Sequence, residues 1–336
     1  MYRKISVYGI GNFGYAILKH LDSKDGKDFS LHGYDRNKKL MLNLKKNRKH
    51  LNHHKSIKIS KMIRFEDDIK NLIENCDILI LAINSEATRE VIQKIKKHIN
   101  KKIIIVNTAK ALDFKTGKRI SQIVDEELKN VKYEYALFAG GTIAQELFSH
   151  EPLGVDIACK NKVILRKLVQ LFQASNLSVY PTTDLVGVEY ASAFKNVISI
   201  LAGIIKGMDF SYGSETHVIS RAAYEIEKVV TKDLGGQKKT FKINSQCWGN
   251  DLWMSSTGNT RNREFGILLG KGTSVDDAIS MMKQNDKTIE GHKTLTALGK
   301  IKSARNYPLI NFLYEFIILK SVGLEKLVTL ISNHKF

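Results

Sequence analysis

The chain has 336 residues, which on a loose prior of about 150 residues per domain suits about two domains. Hydrophobic residues make up 43 % and charged residues 26 %, a mix that excludes a wholly disordered chain, a collagen and a coiled-coil rod. The net charge of +19 suits anionic partners, whether nucleic acid, a membrane surface or phosphorylated small molecules, and does not choose between them.

Most of the excess is Lys rather than Arg and is spread along the chain, as a solvated surface would be. Cys76, Cys159 and Cys247 are far apart, odd in number and in no paired motif. A disulfide framework or structural zinc site is therefore not expected, and a reduced cytoplasmic setting is the simplest reading. The first Gly-rich turn begins at residue 9, too early for a signal peptide's apolar core. The apolar run 197–205 is bounded by Asn196 and Lys206 and falls short of the roughly 20 residues a bilayer crossing needs. The run 309–319 is broken by Asn311 and Glu315, so it reads as a core helix.

In chain order, residues 4–9 read as a buried strand and 13–21 as a helix. A second strand at 29–34 is followed by a Lys-rich helix at 36–46. Residues 77–83 are almost continuously apolar, as parallel strands are. A helix at 86–98 and a strand at 102–106 come next. Further strands fall at 135–139, 155–159 and 177–180, with helices at 120–128 and 163–174. Strands alternating with helices predict βαβ units, and so an α/β fold with a doubly wound, mostly parallel sheet. From residue 183 the patterns are long and helical, at 186–205, 215–231, 275–282 and 309–320. Pro181 falls at this change. The expected division is a dinucleotide-binding domain at 1–182 and an all-α substrate domain at 183–336.

The first candidate site is Gly9-Ile10-Gly11-Asn12-Phe13-Gly14. The pattern closes a strand and opens a helix, the context that gives a GxGxxG its meaning. Gly9 permits the turn, Gly11 lets a pyrophosphate approach the backbone, and Gly14 lets helix and strand pack closely. The helix N-terminus adds N–H groups and a positive dipole end. Asp35 lies 21 residues after Gly14, where a carboxylate holding an adenosine ribose is expected. Arg36, Lys38 and Lys39 crowd the same spot and suit a 2′-phosphate instead. NAD is the expected cofactor, with NADP left open.

Lys195 and Asn196 interrupt the apolar helix 186–205. A Lys there either snorkels to the surface or is functional; desolvation and nearby cations would draw its pKa toward the range of an acid–base catalyst. A third cluster joins Asp251, Ser255, Ser256 and Thr257 to Arg261-Asn262-Arg263. An Arg fork behind a small polar loop suits a phosphate.

Taken together, these motifs resemble the NAD(P)-dependent glycerol-3-phosphate dehydrogenase family, in the family's order and over nearly the whole chain. The opening glycine loop matches. Asn107-Thr108-Ala109-Lys110-Ala111-Leu112-Asp113 resembles the family's Thr-Lys-Gly-Leu/Ile-Glu, and Gly140-Gly141-Thr142-Ile143-Ala144-Gln145-Glu146 its Gly-Pro-Ser/Thr-Phe-Ala-x-Glu. Lys195-Asn196-Val197, Asp251-Leu252, Arg261-Asn262-Arg263 and Glu290-Gly291 fall on further family motifs. The resemblance implies Lys195 as the acid–base at the substrate's C2 oxygen, Lys110 as a second cation there, and Asp251 as the group orienting both. It implies Ser255 (usually Thr), Arg261, Asn262 and Asn196 as holders of the substrate phosphate. Asn12, Phe13, Asn84, Lys110, Ala144, Arg261 and Glu290 join Gly9, Gly11, Gly14 and Asp35 as expected cofactor contacts. A homodimer is implied too.

The sequence also departs from the family. Ala111 replaces a Gly and Gly141 a Pro. The segment 241–251 is two residues longer by count and less Gly-rich, which leaves room for another substrate. The Tyr-Leu-Pro stretch after the second strand gives way to His and Lys residues. His50, His53 and His54 have a metal-like spacing with no acidic or Cys ligand close by, so no metal is expected. The implied reaction is hydride transfer between a nicotinamide and dihydroxyacetone phosphate, giving sn-glycerol 3-phosphate. The alternatives are a dehydrogenase of the same fold acting on another small phosphorylated ketone, and a nucleotide-sensing or nucleic-acid-binding protein. The joint presence of Lys110, Lys195, Asp251 and Arg261 speaks against the last, which needs none of them.

Overall fold

A computed structural model describes residues 2–24, 26–148, 151–285 and 287–333. Its contacts divide the chain into two compact units, Met1–Ala109 with Ile120–Leu185, and Lys110–Arg119 with Val186–Phe336. The stretch Lys110–Arg119, which lies in sequence between two strands of the first unit, packs with the helical unit instead.

Among the described residues of the first unit, the seven expected runs and one further short segment form eight strands: β1 (Lys4–Tyr8), β2 (Ser30–Tyr34), β3 (Arg64–Phe65), β4 (Ile78–Leu81), β5 (Ile103–Asn107), β6 (Tyr133–Ala139), β7 (Leu153–Cys159) and β8 (Leu177–Thr182). Their order is β3-β2-β1-β4-β5-β6-β7-β8, with every neighbour pair parallel except β6 and β7. The order reverses between β1 and β4, the switch point at which such sheets bind dinucleotides. Every residue of β4 and β5 is buried. Strands covered on both faces have no polar side to present, which is why their sequence is apolar without alternation.

Local chemistry sets the helix starts. The predicted helix at 36–46 begins at Lys38, because the Asn37 side chain accepts from the Leu40 N–H at 3.1 Å and caps it. Asn161 caps Lys162–Phe172 in the same way. The helix expected from residue 86 opens with a 3-10 turn, Ser85–Ala87, before Thr88–Lys96. Strand β3 was not predicted; two residues are too few for a hydropathy pattern.

The second unit is built around the helix Leu185–Gly207, whose most apolar 18-residue window is wholly buried. By length and composition alone this helix could cross a membrane, and its bounds match the expected 186–205 to within two residues. A helix this apolar that is buried within the protein is a core helix. Helix Arg261–Gly270 crosses it with backbone touching backbone. A Cβ at Gly203 would lie 2.1 Å from the Arg263 carbonyl oxygen, and one at Gly266 would lie 2.0 Å from that of Ile200. Gly207 and Gly270 repeat the contact one turn on. Four glycines therefore set this crossing. The C-terminal helix expected at 309–320 is an α-turn, Pro308–Leu313, continued by a π-turn, Tyr314–Leu319. Cys76, Cys159 and Cys247 are buried free thiols.

Candidate active site

The helix Leu185–Gly207 carries a polar stripe at Ser192, Lys195, Asn196 and Ser199, spacings of three, one and three that share one helix face. All four are buried. Lys195 Nζ donates to Asp251 Oδ1 and, at 2.8 Å, to Ser255 Oγ. The other Asp251 oxygen accepts from Lys110 Nζ at 3.2 Å. Asp251 is 0 % exposed, so one fully buried carboxylate holds two ammonium groups. Burial pushes the pKa of Lys195 down and Lys110 pushes it further, while Asp251 and Glu290 oppose them. A buried Lys with a depressed pKa, tethered beside a second cation, suits proton exchange with an oxygen that develops negative charge.

The sequence around Asp251 explains its aim. Segment 241–251 contains a π-turn, Gln246–Asn250, that runs directly into the helix Asp251–Thr257. Phe241 and Trp248 pack edge to face at 4.9 Å. A Cβ at Gly249 would lie 2.0 Å from the Ile243 carbonyl oxygen, so this turn tolerates only glycine there.

Asn262 Nδ2 donates to Asn196 Oδ1 at 3.0 Å, and Asn262 Oδ1 accepts from the Gly291 N–H at 2.9 Å. The glycine crossing of their two helices allows this approach. Asn196 Nδ2 remains buried with no acceptor, as does Ser256 Oγ. A buried donor left unmet costs roughly 1–3 kcal/mol, so these groups suit a ligand's oxygen atoms. Arg261 has a half-exposed side chain that lies 3.9 Å from Glu290. Two polar residues were missed from the sequence. Ser199 Oγ and Thr260 Oγ1 both donate to the Ser255 carbonyl oxygen, at 2.6 and 2.8 Å. Thr260 also caps helix Arg261–Gly270. The stripe spacing would have revealed Ser199.

In the first unit, Gly9 adopts φ +91°, and a Cβ there would lie 2.5 Å from the Ala82 carbonyl oxygen. A Cβ at Gly14 would lie 1.9 Å from the Gly9 carbonyl oxygen, whereas one at Gly11 meets no atom within 4 Å. Gly9 and Gly14 are thus required by the fold, and Gly11 borders open space. Gly11 is also the N-cap of helix Asn12–Asp22, and no side chain caps that end. An uncapped N-terminus beside open space fits a pyrophosphate.

Asp35 uses Oδ2 to accept from the Ile10 N–H and Oδ1 to accept from the Asn37 N–H, both at 2.8 Å. It buttresses the glycine loop, and each oxygen keeps a lone pair for a further donor. His50 works from the other side. Its Nε2–H donates to the Ile10 carbonyl oxygen at 2.9 Å, and its Nδ1 accepts from the N–H groups of Asn52 and His53 at 3.0 Å. Both ring nitrogens are taken, and burial pushes its pKa down. His54 Nε2 bonds Asn12 Oδ1. The histidines therefore support the loop, a role their spacing did not suggest. The Phe13 ring lies tilted against that of Phe138, with centroids 6.0 Å apart. Asn84 is exposed at the N-cap of the 3-10 turn Ser85–Ala87. The Ala144 methyl lies in the hydrophobic core.

Known proteins share both units. Residues 4–164 match the family model for the N-terminus of NAD-dependent glycerol-3-phosphate dehydrogenase, and residues 184–328 match the model for its C-terminus. The chain is 31 % identical over 331 residues to a glycerol-3-phosphate dehydrogenase (NAD(P)+) of Clostridium botulinum, covering 97 % of both chains. It is 33 % identical over 306 residues to one from Fusobacterium nucleatum, covering 90 % of this chain and 88 % of the relative. Its fold is similar to the crystal structure of glycerol-3-phosphate dehydrogenase from Coxiella burnetii, with a TM-score of 0.83, 21 % identity, and 98 % and 99 % of the two chains covered.

Proposed function

The chain belongs to the NAD-dependent glycerol-3-phosphate dehydrogenase family, and from that premise we propose that it interconverts dihydroxyacetone phosphate and sn-glycerol 3-phosphate. The observation that carries this reading is the convergence of Lys195 and Lys110 on the fully buried Asp251.

A bound nicotinamide dinucleotide, NAD or NADP, supplies the hydride chemistry. The chain supplies orientation and charge. In the direction of reduction, protonated Lys195 donates to the C2 oxygen, and Lys110 stabilises the negative charge gathering there. In the reverse direction neutral Lys195 accepts that proton. Asp251 holds both lysines in place. Arg261 pairs with the substrate phosphate, with Asn262, Asn196 and Ser255 beside it. Gly11 and the start of helix Asn12–Asp22 receive the cofactor pyrophosphate, and Asp35 receives the adenosine ribose. Asn12, Phe13 and Asn84 complete the cofactor contacts of the first unit. We place cofactor binding in 1–182 and substrate binding in 183–336, with Lys110 of the arm Lys110–Arg119 joining the substrate side. A cytoplasmic homodimer supplying glycerophospholipid metabolism is the setting this reading implies.

The test follows cofactor oxidation with dihydroxyacetone phosphate against other phosphorylated ketones and unphosphorylated dihydroxyacetone. The parent turns over the first and uses the last poorly. Arg261→Ala raises KM for the phosphorylated ketone roughly ten- to a hundred-fold, the worth of one charged hydrogen bond. It leaves the unphosphorylated rate almost unchanged. Preference for a different ketone, or equal loss on both substrates, overturns the assignment.

A further inference from the structure

We infer that the buried Arg119–Glu189 ion pair is a positioning device for Lys110, clamping the ten-residue arm Lys110–Arg119 onto the same helix that carries Lys195. The inference rests on the reading of Lys195 and Lys110 given above, and it adds two residues that this reading does not use.

The arm begins at Lys110 and ends at Arg119, and it is closed on itself in between. The Asp113 N–H donates to the Lys118 carbonyl at 2.9 Å, the Gly117 N–H to the Asp113 carbonyl at 2.7 Å, and the Thr116 N–H to Asp113 Oδ2 at 3.0 Å. The closed part of the arm, 113–118, moves as a piece, which couples Arg119 at its end to Lys110 three residues before its start. Gly117, at φ +74°, lies against the helix Glu290–Leu298: a Cβ there would meet the Ala297 carbonyl oxygen at 3.1 Å. Lys300 Nζ donates to the Lys115 carbonyl. At the end of the arm, Arg119 Nη1 donates to Glu189 Oε2 at 2.6 Å, and the guanidinium lies 5.9 Å from the centre of the Tyr190 ring.

The side chains of this pair are 14 % and 4 % exposed. Removing two charges from water is costly, and a buried pair is weak evidence of stability. Geometry is what this one provides. Glu189 and Lys195 lie six residues apart on one helix, roughly 9 Å along its axis. The clamp therefore refers the position of Lys110 to the backbone that sets Lys195.

The electrical consequence has a definite sign. The charged groups that act most strongly on Lys195 are Asp251, Lys110 and Glu290. Lys110 lowers its pKa, and the two carboxylates raise it. An arm that swings free takes away a cation, so Lys195 holds its proton to higher pH. The C2 oxygen loses the second cation at the same time.

The experiment uses the full-length chain with three variants. Arg119→Met/Glu189→Leu removes both charges and so leaves neither buried unpaired. Arg119→Lys keeps the charge and loses the fork. Lys110→Met reports the loss of the cation itself. The first readout is lysine acylation by limiting acetic anhydride, resolved by peptide mass spectrometry, which needs no turnover. Lys110 should label severalfold faster in the double variant, and Arg119→Lys should fall between it and the parent. The second readout is the pH profile of kcat/KM for ketone reduction. Its basic limb should move to higher pH in the double variant and in Lys110→Met, with kcat/KM down roughly ten- to a hundred-fold, the scale of a misplaced catalytic group. Parental Lys110 labelling with an unmoved basic limb overturns the clamp, even if Lys110→Met is impaired. If the parent does not reduce dihydroxyacetone phosphate, the functional reading fails, and Lys110 labelling still decides the clamp. If the double variant lacks a cooperative unfolding transition, Arg119→Lys decides: parental labelling of Lys110 overturns the clamp, and faster labelling supports it.

Discussion

Replacing Gly266 with Ala tests whether backbone contact between two helices places the polar groups of the site. The added methyl would lie 2.0 Å from the Ile200 carbonyl oxygen and 2.9 Å from the Gly203 Cα, against an ordinary contact of about 3.4 Å. Both obstacles are backbone, so no side chain can turn aside. Helices Arg261–Gly270 and Leu185–Gly207 must part by about 1.4 Å, the difference between 3.4 and 2.0 Å. That shift carries the 3.0 Å Asn262–Asn196 bond well past hydrogen-bond range. Overpacking usually costs about 1–3 kcal/mol, and an immovable neighbour puts this site at the upper end. At about 2–4 °C per kcal/mol, Tm should fall by roughly 6–12 °C. The KM for the phosphorylated ketone should rise as Arg261 and Asn262 move with their helix. The control is Gly213→Ala in the helix Tyr212–Lys228, where the nearest atom to the new methyl is 4.0 Å away. That change removes unfolded-state freedom without a clash and should stabilise by about 0.4–1 kcal/mol. Calorimetry and steady-state kinetics on both variants give the answer. A Gly266→Ala protein that melts at or above the parental Tm with parental KM refutes the close-contact argument.

Gly11→Val should fold as the parent does, because nothing lies near its Cβ, and should lose NADH affinity; titration calorimetry that finds parental affinity would remove the pyrophosphate from this loop. Lys195→Ala should lower kcat by roughly 10²–10⁴-fold, the usual worth of general acid–base catalysis, while NADH still binds; near-parental turnover would move the proton transfer elsewhere. Glu225 is buried and accepts the backbone N–H groups of Leu309 and Ile310, and burial pushes its carboxyl up to about 7 from 4.5. The native state therefore binds this proton more tightly than the unfolded chain does. Stability should fall as pH rises from about 4.5 to about 7, by up to roughly 3 kcal/mol, and then level off. Chemical denaturation of Glu225→Gln should show that slope gone; an unchanged slope would assign it to other groups.

Much of this protein follows from local patterns. The strand, the glycine turn and the helix at residues 4–22 are adjacent in sequence, so their meaning can be read there; so can the buried parallel strands, whose two covered faces require unbroken apolar runs. The interruption of an apolar helix by Lys195 and Asn196 is also legible there, although the pattern alone leaves Lys195 either snorkelling to the surface or functional. Tertiary structure decides what depends on distant partners. Lys110 and Asp251 are 141 residues apart, and Lys195 and Asp251 are 56 apart; no periodicity encodes either meeting. Membership of Lys110–Arg119 in the helical unit is likewise invisible to a reading that follows the chain. The glycines at 203, 207, 266 and 270 look like ordinary weak points of a helix until the two backbones are seen in contact. His50 carried a metal-like spacing in the sequence, and only the folded loop shows both its nitrogens taken by backbone groups. Residue type limits what a side chain can do, and the packing of remote segments determines which of those things it does.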